Sequence, residues 1–387
     1  MRILFLNYEY PPLGGGAANA TKYLLHAYKD KKNISVDLVT TAADNKERTE
    51  DLGGGVRVHY VAINKDHATL THQSPRDLLV YTWKGYQKAH ALMRQQKYDI
   101  IHAFFGVPCG WMAQRLARPA RTPYIVSLRG ADVPGFSDRF DRIYPVLKPV
   151  IRSVWRSAAA VVANSERLRA LAQQTAPDQD IAIIYNGVDT QRFTPSDEAQ
   201  KDDTFVILVA ARLMRRKGIR FAIAAFEQLR NQRPHAKAKM IIAGGDGDAA
   251  AELRAQVAAA NLTNDVLFTG HLDQDALITA YHKADAFVLP SLNEGMSNNM
   301  LEALACGLPI IMTRTGGSEV LTDGEQGFLV ERENADAIRV ALERMIDDPA
   351  MTAAMRTKSR ALAEKMSWQS VADHYEQLYY DIYNADA

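Results

Sequence analysis

Short apolar runs alternate with segments of helical spacing along nearly the whole chain, and this alternation restricts the fold more than any other feature. The runs are Ile3–Leu6, Val36–Thr40, Val56–Ile63, Ile100–Phe104, Tyr124–Leu128, Val161–Ala163, Ala182–Ile184, Phe205–Val209, Met240–Ala243, Val266–Phe268, Ala286–Leu289 and Ile310–Thr313. Strands that alternate with helices form parallel sheets with helices on both faces. We therefore predict an α/β fold.

The length and one polar stretch divide the chain in two. At 387 residues the chain is long for one core, and two domains of about 150–200 residues are expected. The stretch between Asn186 and Asp203, which contains Pro195, predicts the boundary. We assign residues 1–190 and 191–366 to two Rossmann-like, doubly wound domains facing each other across a cleft. Ligands of such domains bind at the carboxyl ends of the strands.

The C-terminal segment, residues 367–387, has aromatic residues at helical spacing. Trp368, Tyr375, Tyr379 and Tyr383 suit a helix with one buried stripe. We expect this helix to pack back on the N-terminal domain.

Charge is distributed unevenly between the halves. The net charge of +1 argues against a dedicated nucleic-acid binder. Residues 1–190 carry 25 Lys and Arg against 17 Asp and Glu, whereas residues 191–387 carry 21 against 28. The halves are therefore expected to meet different partners, with surface drift and attraction between domains as the alternative.

The chain reads as a cytoplasmic protein. Cys109 and Cys306 lack metal-type spacing and are interpreted as free thiols of a reducing compartment. The N-terminus is apolar for only a few residues before Asn7 and Glu9, which indicates a first core strand. No run approaches the roughly 18 apolar residues that cross a bilayer, so contact with the cytoplasmic face of a membrane is the most that we expect.

The stretch NEGMSNNMLEALA, which begins at Asn293, is the most informative about chemistry. Glu294 lies in a predicted strand-to-helix loop, and Glu302 lies in the helix that follows. The backbone N–H groups of Gly295, Met296 and Ser297 are expected between the two carboxylates. A helix N-terminus attracts phosphate and a carboxylate accepts hydrogen bonds from sugar hydroxyls. A nucleotide sugar is the ligand that this loop predicts.

Two further loops carry phosphate-type signals. Gly14, Gly15 and Gly16 follow the first strand and let a ligand approach exposed N–H groups, although a flexible turn has the same sequence. Arg212 and Lys217 follow the strand Phe205–Val209 and suit a diphosphate, with a solvated basic face as the alternative.

Signals for other cofactors are weaker. Gly244 opens a glycine loop that lacks the acidic partner of a dinucleotide site, so a loop near the nucleotide is the better interpretation. The pairs Asp246/Asp248 and Asp273/Asp275 have metal-type spacing but also suit helix N-caps. His102 is interpreted as a satisfied residue at a strand end, with a cleft role as the alternative. We expect no metal and no other cofactor.

The loop Arg129-Gly130-Ala131-Asp132 follows the strand Tyr124–Leu128. Asp132 can accept a hydrogen bond from a sugar hydroxyl, and Arg129 can hold phosphate or developing negative charge. A simple turn is the alternative.

The chain resembles the family 4 retaining glycosyltransferases, whose two-Rossmann architecture is called GT-B. The resemblance runs over nearly the full length and rests on these motifs in order: PPLGGG, RGAD, NGVD, RLMRRKG and PSLNEGMSNNMLEALACGLPII.

The resemblance implies a role for each motif. Glu294 with the backbone of residues 295–297 would hold the donor sugar, and Glu302 would bind the ribose hydroxyls. Arg212 and Lys217 would take the diphosphate without a metal, and the glycines at 14–16 would close over it. The first domain would bind the acceptor and the second the UDP- or GDP-sugar.

The family commonly has His where this chain has Arg129. Arginine stays charged and cannot act as a general base at neutral pH, so that side chain is left with anion binding. The resemblance favours transfer with retention, in which the leaving phosphate assists deprotonation of the acceptor.

The acceptor is predicted to be a glycan or a lipid-linked molecule of cell-surface synthesis. A basic stretch from Arg139 to Arg156 has Arg152/Arg156 and Ile151/Trp155 as neighbouring stripes, which suits anionic lipid. Pro145 and Pro149 limit its continuous helix to about residues 149–157. An ordinary domain helix is the alternative.

Two rival functions remain open at this point. A nucleotide-sugar epimerase would need acid–base residues beside the sugar, and a non-catalytic sensor would bind the donor without turnover. Arg129 is the only sequence hint of the sensor.

Overall fold

The structure is a computed structural model that describes residues 1–65, 73–136, 143–196 and 203–386. The described chain divides into two compact units, Met1–Gly187 with Trp368–Ala387, and Val188–Ser367. The sequence boundaries were drawn after residues 190 and 366.

Each unit contains one mainly parallel sheet, as predicted. The strands are β1 Arg2–Leu6, β2 Ser35–Thr41, β3 Arg48–Gly53, β4 Val56–Val61, β5 Ile100–Phe104, β6 Tyr124–Ser127, β7 Ala160–Ala163 and β8 Ala182–Ile183 in the first unit, and β9 Phe205–Ala210, β10 Ala238–Ala243, β11 Val266–Gly270, β12 Ala286–Leu289, β13 Ile310–Thr313 and β14 Gly327–Val330 in the second. The strand orders are β3-β4-β2-β1-β5-β6-β7-β8 and β11-β10-β9-β12-β13-β14. The prediction of two Rossmann-like α/β folds is therefore confirmed.

Helices cover the sheets. They are α1 Gly16–Lys29, α2 Pro75–Gln95, α3 Trp111–Ala120, α4 Tyr144–Ser157, α5 Glu166–Thr175, α6 Ile219–Gln232, α7 Ala250–Ala259, α8 Gln274–Lys283, α9 Asn298–Ala305, α10 Ala335–Asp347, α11 Pro349–Lys365 and α12 Trp368–Asp386. No described helix combines the length and the apolar character that a membrane span requires.

Strands β3 and β14 were not predicted from the sequence. β3 is an exposed edge strand, antiparallel to β4, with the polar sequence RTEDLG. Its stability comes from cross-strand contacts with Tyr60, whose ring lies 3.9 Å from the Arg48 guanidinium and whose hydroxyl donates to Glu50 at 2.9 Å. Such contacts leave no periodic signal along the chain.

The helices of the first unit form two layers. The chain moves one way along the sheet from β1 to β2 and the other way from β4 through β7. Right-handed crossovers therefore place α1 on one face and α2, α3 and α4 on the other. α12 packs against α1, while α2, α3 and α4 pack side by side.

Helix α12 is fastened by buried polar contacts. His102 on β5 contacts the Tyr379 hydroxyl at 2.6 Å and the Ser127 hydroxyl at 2.7 Å, and Tyr375 contacts Ser127 at 2.9 Å. Burial and the nearby Arg129 charge hold the pKa of His102 well below its usual value, so its imidazole is neutral. His102 is thus a satisfied core residue. The predicted aromatic stripe is buried at Trp368, Tyr375 and Tyr379 but not at Tyr383, which is exposed.

Candidate functional site

Two loops of the second unit lie together because their strands are neighbours. β9 and β12 pair in parallel, so the loops that follow them start at the same edge of the sheet. The Leu292 N–H donates to the Arg216 carbonyl at 2.8 Å. Gly218 has a φ of +63°, and a Cβ there would lie 2.0 Å from the Pro290 carbonyl oxygen. Only glycine allows this approach.

Lys217 and Glu294 form an ion pair between these loops. The Lys217 ammonium donates to Glu294 Oε1, and the Ser291 hydroxyl donates to the same oxygen at 2.8 Å. Both side chains are largely buried. Burial alone would raise the pKa of Glu294, but the charges of Lys217 and Arg216 and the Ser291 hydrogen bond outweigh it, and the pKa is lowered. The site therefore holds a full negative charge beside a full positive one.

Glu302 has a different environment. It lies on α9, which begins after Ser297, whose hydroxyl accepts from the Met300 N–H at 3.4 Å. The Tyr281 hydroxyl donates to Glu302 Oε2 at 3.0 Å. Burial raises the pKa of Glu302 to about 7, and the Tyr281 hydrogen bond only partly offsets this. Near neutral pH this carboxyl exchanges its proton easily.

We expect the free energy of unfolding of the wild-type protein to fall as the pH rises from about 5 to about 8. We expect this part of the pH dependence to be absent from the Glu302→Gln variant. The folded-state pKa of about 7 lies above the ordinary value of 4.5 for a free glutamate carboxyl. The stabilisation by the protonated form is complete below the lower value and is lost as the pH rises through the upper one.

Urea unfolding at both pH values measures this difference. Glu331→Gln is the matched control, because Glu331 is 74% exposed and pairs with Arg314 at the surface. A Glu302→Gln variant with the wild-type pH dependence would show that Glu302 ionises normally.

The segment between the two carboxylates is buried and tightly placed. Gly295, Met296 and Ser297 are buried, and a Cβ on Gly317 would lie 3.2 Å from Met296 Sδ. No hydrogen bond among the described residues uses the backbone N–H groups of Gly295, Met296 or Ser297 as donor. These three N–H groups belong to the residues just before α9, and their direction into the space between the two carboxylates stays a prediction.

Arg212 lies at the same edge of the sheet. It follows β9 directly and is partly buried. The Leu213 N–H donates to the Gly245 carbonyl at 3.0 Å, and a Cβ on Gly244 would lie 2.0 Å from the Ala211 carbonyl oxygen. Gly244 is thus required by close packing of two loops. This steric role differs from direct contact with a nucleotide, which stays a prediction.

The side chains of the site are held in place by three residues that the sequence analysis did not assign to it. Tyr281 and Ser291 hold the two carboxylates, and the Asn299 amide donates to the Ala210 carbonyl at 2.8 Å, which ties α9 to the end of β9. A polar residue inside or beside an apolar run is the only sequence signal that they give.

The acidic pairs with metal-type spacing serve other purposes. Asp273 caps α8 by accepting from the Ala276 N–H at 2.9 Å, and Asp248 accepts from the Arg215 N–H at 2.9 Å. Asp246 and Asp275 form exposed ion pairs with arginines. Among the described residues, no group of three His, Cys, Asp or Glu has an arrangement that suits a metal ion.

The glycine loop of the first unit opens α1. Gly15 precedes the helix and Gly16 is its first residue, and both are exposed. Gly14 has a φ of +88°, and a Cβ there would lie 2.5 Å from Glu9 Oε2. The turn therefore requires glycine at position 14, while residues 15 and 16 are exposed at the start of the helix.

Arg129 and Asp132 lie at the end of β6 but do not pair through their side chains. Asp132 is buried and accepts from the Gly106 N–H at 2.8 Å and the Arg129 N–H at 2.9 Å. Burial raises the pKa of Asp132 despite these hydrogen bonds. The Arg129 guanidinium donates to Asn186 Oδ1 at 3.0 Å, while its Nε and Nη2 atoms have no partner among the described residues. Asp132 thus stabilises the turn, and Arg129 retains anion-binding capacity.

The basic stretch predicted to touch lipid differs from the prediction. Arg139 and Arg142 lie outside the described residues. Ile151 and Trp155 are fully buried in the core, so they cannot form an exposed stripe. The helix also begins at Tyr144, earlier than the predicted start near residue 149. Pro145 lies in its first turn, where proline is favoured, and Pro149 is accommodated inside the helix. The exposed side of α4 consists of other residues.

Comparisons with known proteins identify the class. The model described as glycosyltransferase family 4 matches residues 14–192, and the model described as glycosyl transferases group 1 matches residues 190–362. The chain therefore belongs to the family 4, group 1 glycosyltransferases with the GT-B architecture. An uncharacterized glycosyltransferase of Methanocaldococcus jannaschii is 25% identical, with 98% of each chain covered.

Solved structures show the same fold. Sucrose-phosphate synthase of Thermosynechococcus elongatus has a TM-score of 0.83 at 22% identity, with 99% of each chain covered. The Anabaena protein HepE in complex with UDP-glucose has a TM-score of 0.74 at 21% identity, with 98% of this chain and 100% of that chain covered.

Proposed function

We propose that this protein is a retaining hexosyltransferase that uses a UDP- or GDP-sugar and a glycan or lipid-linked acceptor, without a metal. The observation that carries this proposal is the pairing of Lys217 with Glu294 at the edge where Arg212, Glu302 and the start of α9 also lie. These groups supply what a nucleotide sugar needs: cations for the diphosphate and carboxylates for hydroxyls.

Each residue has a definite task in this proposal. Lys217 and Arg212 neutralise the diphosphate as the bond to the sugar breaks. Glu294 accepts hydrogen bonds from hydroxyls of the hexose, and its lowered pKa keeps it ionised for this task. Glu302 accepts from the ribose hydroxyls, which favours its ionised form, so donor binding strengthens as the pH rises through about 7.

No carboxylate is assigned as a nucleophile on the far face of the sugar. The departing phosphate takes the acceptor proton, and the positive charges at 212 and 217 stabilise the charge that develops. Arg129 contributes charge and no proton transfer.

A uridine donor is the first to test. The structures of HepE with UDP and with UDP-glucose share this fold. We expect UDP-glucose or another UDP-hexose to raise the Tm of the full-length protein. A rise with GDP-sugars instead would identify guanine as the base of the donor. Tight binding of a donor raises the unfolding free energy by about 2.7 kcal/mol at a concentration of 100 Kd. No shift with any UDP- or GDP-sugar would contradict the proposal.

Product analysis separates the rival functions. Slow release of free sugar with the donor's anomeric configuration, followed by NMR without acceptor, supports a retaining transferase. A changed sugar still attached to the nucleotide indicates an epimerase. Binding with no turnover, with or without glycan and lipid-linked acceptors, indicates a sensor.

A further inference from the structure

One helix layer of the first unit carries almost no negative charge. α2, α3 and α4 pack side by side on the same face of the sheet. Their cations are Arg76, Lys84, Lys88, Arg94, Arg115, Arg118, Lys148, Arg152 and Arg156, and their only acid is Asp77. Asp77 is buried and already paired with Lys65 at 3.1 Å. We call α2, α3 and α4 together the basic layer.

The cations of the basic layer lack paired counter-charges in the part of the chain that the structure describes. None of them takes part in an ion pair among the described residues. The 23 ion pairs that the described residues form all involve other side chains. The opposite layer differs, since α1 and α12 together carry four acids and only two lysines. The positive excess of residues 1–190 is therefore concentrated on one face of the first unit.

Exposed apolar side chains lie on the same layer. Leu79 is 73% exposed, Trp83 63% and Val146 76%, and Ile143 just before α4 is 41% exposed. Leu79 and Trp83 are four residues apart, so they project from the same side of α2. Leu79 and Trp83 therefore form one exposed apolar patch rimmed by polar residues, which is the kind of patch that marks an interaction site.

These apolar residues have a common position along the helices. α3 and α4 follow β5 and β6, and each helix runs back antiparallel to its strand, so the helices begin at the carboxyl edge of the sheet. Leu79 is in the second turn of α2, and Val146 is in the first turn of α4. The apolar side chains thus lie toward the edge that also carries Arg129 and Asp132.

We propose that the basic layer docks on an anionic lipid surface, with Leu79, Trp83 and Val146 inserted at the level of the headgroups. Lys and Arg are attracted to anionic headgroups, whereas Trp, Leu and Val gain by entering the interface. Nucleic acid fits less well, because exposed Leu and Val gain nothing from a polyanion. The docked orientation brings the edge that carries Arg129 and Asp132 next to the membrane, where a lipid-linked acceptor of the proposed function would be found.

Trp83 provides a direct test on the full-length protein. Among the four tryptophans it is the most exposed, since Trp155 and Trp368 are buried and Trp111 is half-buried. We expect its emission to shift to shorter wavelength when phosphatidylcholine vesicles containing phosphatidylglycerol are added at low salt. Vesicles of phosphatidylcholine alone should give a much smaller shift, and Trp83→Phe should abolish it.

Co-sedimentation with the same vesicles measures affinity without donor or acceptor, so its result is independent of the proposed activity. We expect Leu79→Ser with Trp83→Ser to weaken binding about tenfold or more. Each of Lys148→Gln, Arg152→Gln and Arg156→Gln should weaken it about fivefold. Leu267→Ser is the matched control, because Leu267 is 59% exposed in the second unit.

Two results would overturn the inference. One is failure of the wild-type protein to sediment with anionic vesicles at low salt. The other is unchanged binding in the Leu79→Ser, Trp83→Ser variant, together with equally tight binding to single-stranded DNA, which would indicate a general polyanion site.

Discussion

Replacing Lys217 by alanine is expected to lower turnover about 10²–10³-fold, by analogy with removing one preorganised donor from a catalytic site. Lys217 is the cation that directly contacts Glu294, and it is largely buried. Its charge therefore acts where water screens it weakly. Arg212→Ala should have an effect of the same order, because Arg212 follows the same strand. Initial rates with saturating donor measure both.

The matched control for the lysine variant is Lys237→Ala. Lys237 is 69% exposed and faces Asp203 at 3.7 Å, so its charge is solvated. We expect the turnover of the Lys237→Ala variant to equal that of the wild type. Near-wild-type turnover of both Lys217→Ala and Arg212→Ala would refute their assignment to the diphosphate.

Glu294→Gln is expected to lower kcat/KM about 10–10²-fold, which corresponds to loss of a hydrogen bond to a charged group. Glutamine keeps the shape of the side chain but removes its charge. Lys217 then lacks a partner in a largely buried position, so the Tm should fall as well. Steady-state kinetics and thermal unfolding measure the two effects separately.

A double-mutant cycle tests whether the pair acts as a unit. Lys217→Met combined with Glu294→Gln should lose less stability than the two single variants together, because neither charge is then left unpaired. Additive losses would mean that the two side chains do not interact in solution, and the site would need another explanation.

The sequence predicted the strands of both sheets well where burial makes them mostly apolar. β5, β12 and β13 have the predicted limits, since each is buried along its length. The edge strand β3 was missed because its residues are exposed and polar. Periodicity reports burial, so an element held by cross-strand contacts is invisible to it.

The site was predicted in part for the same reason. Glu294, Glu302, Arg212 and Lys217 were selected because they follow the ends of apolar strands, where loops of doubly wound sheets converge. Their positions in sequence do not show which carboxylate is ionised. Lys217, whose charge lowers the pKa of Glu294, lies 77 residues from it along the chain, and the burial that raises the pKa of Glu302 arises only on folding.

Helix α4 is a case in which the periodicity was visible in the sequence but its partner was predicted wrongly. Ile151 and Trp155 have the spacing of an exposed amphipathic stripe, but the same spacing serves a helix that covers a sheet, and the structure buries them. Hydrophobic periodicity shows which side of a helix is apolar. It does not show whether that side packs against the protein core or faces another partner.

The sequence by itself determined the α/β class, the order of the strands along the chain and the loops that carry charged groups, because these follow from local periodicity and from residue chemistry. Only the tertiary structure decided that Lys217 neutralises Glu294, that burial raises the pKa of Glu302 to about 7 and that the nine cations of α2, α3 and α4 share one layer. Ion pairing and desolvation depend on distances between residues that are remote in sequence, and those distances exist only once the sheets have formed.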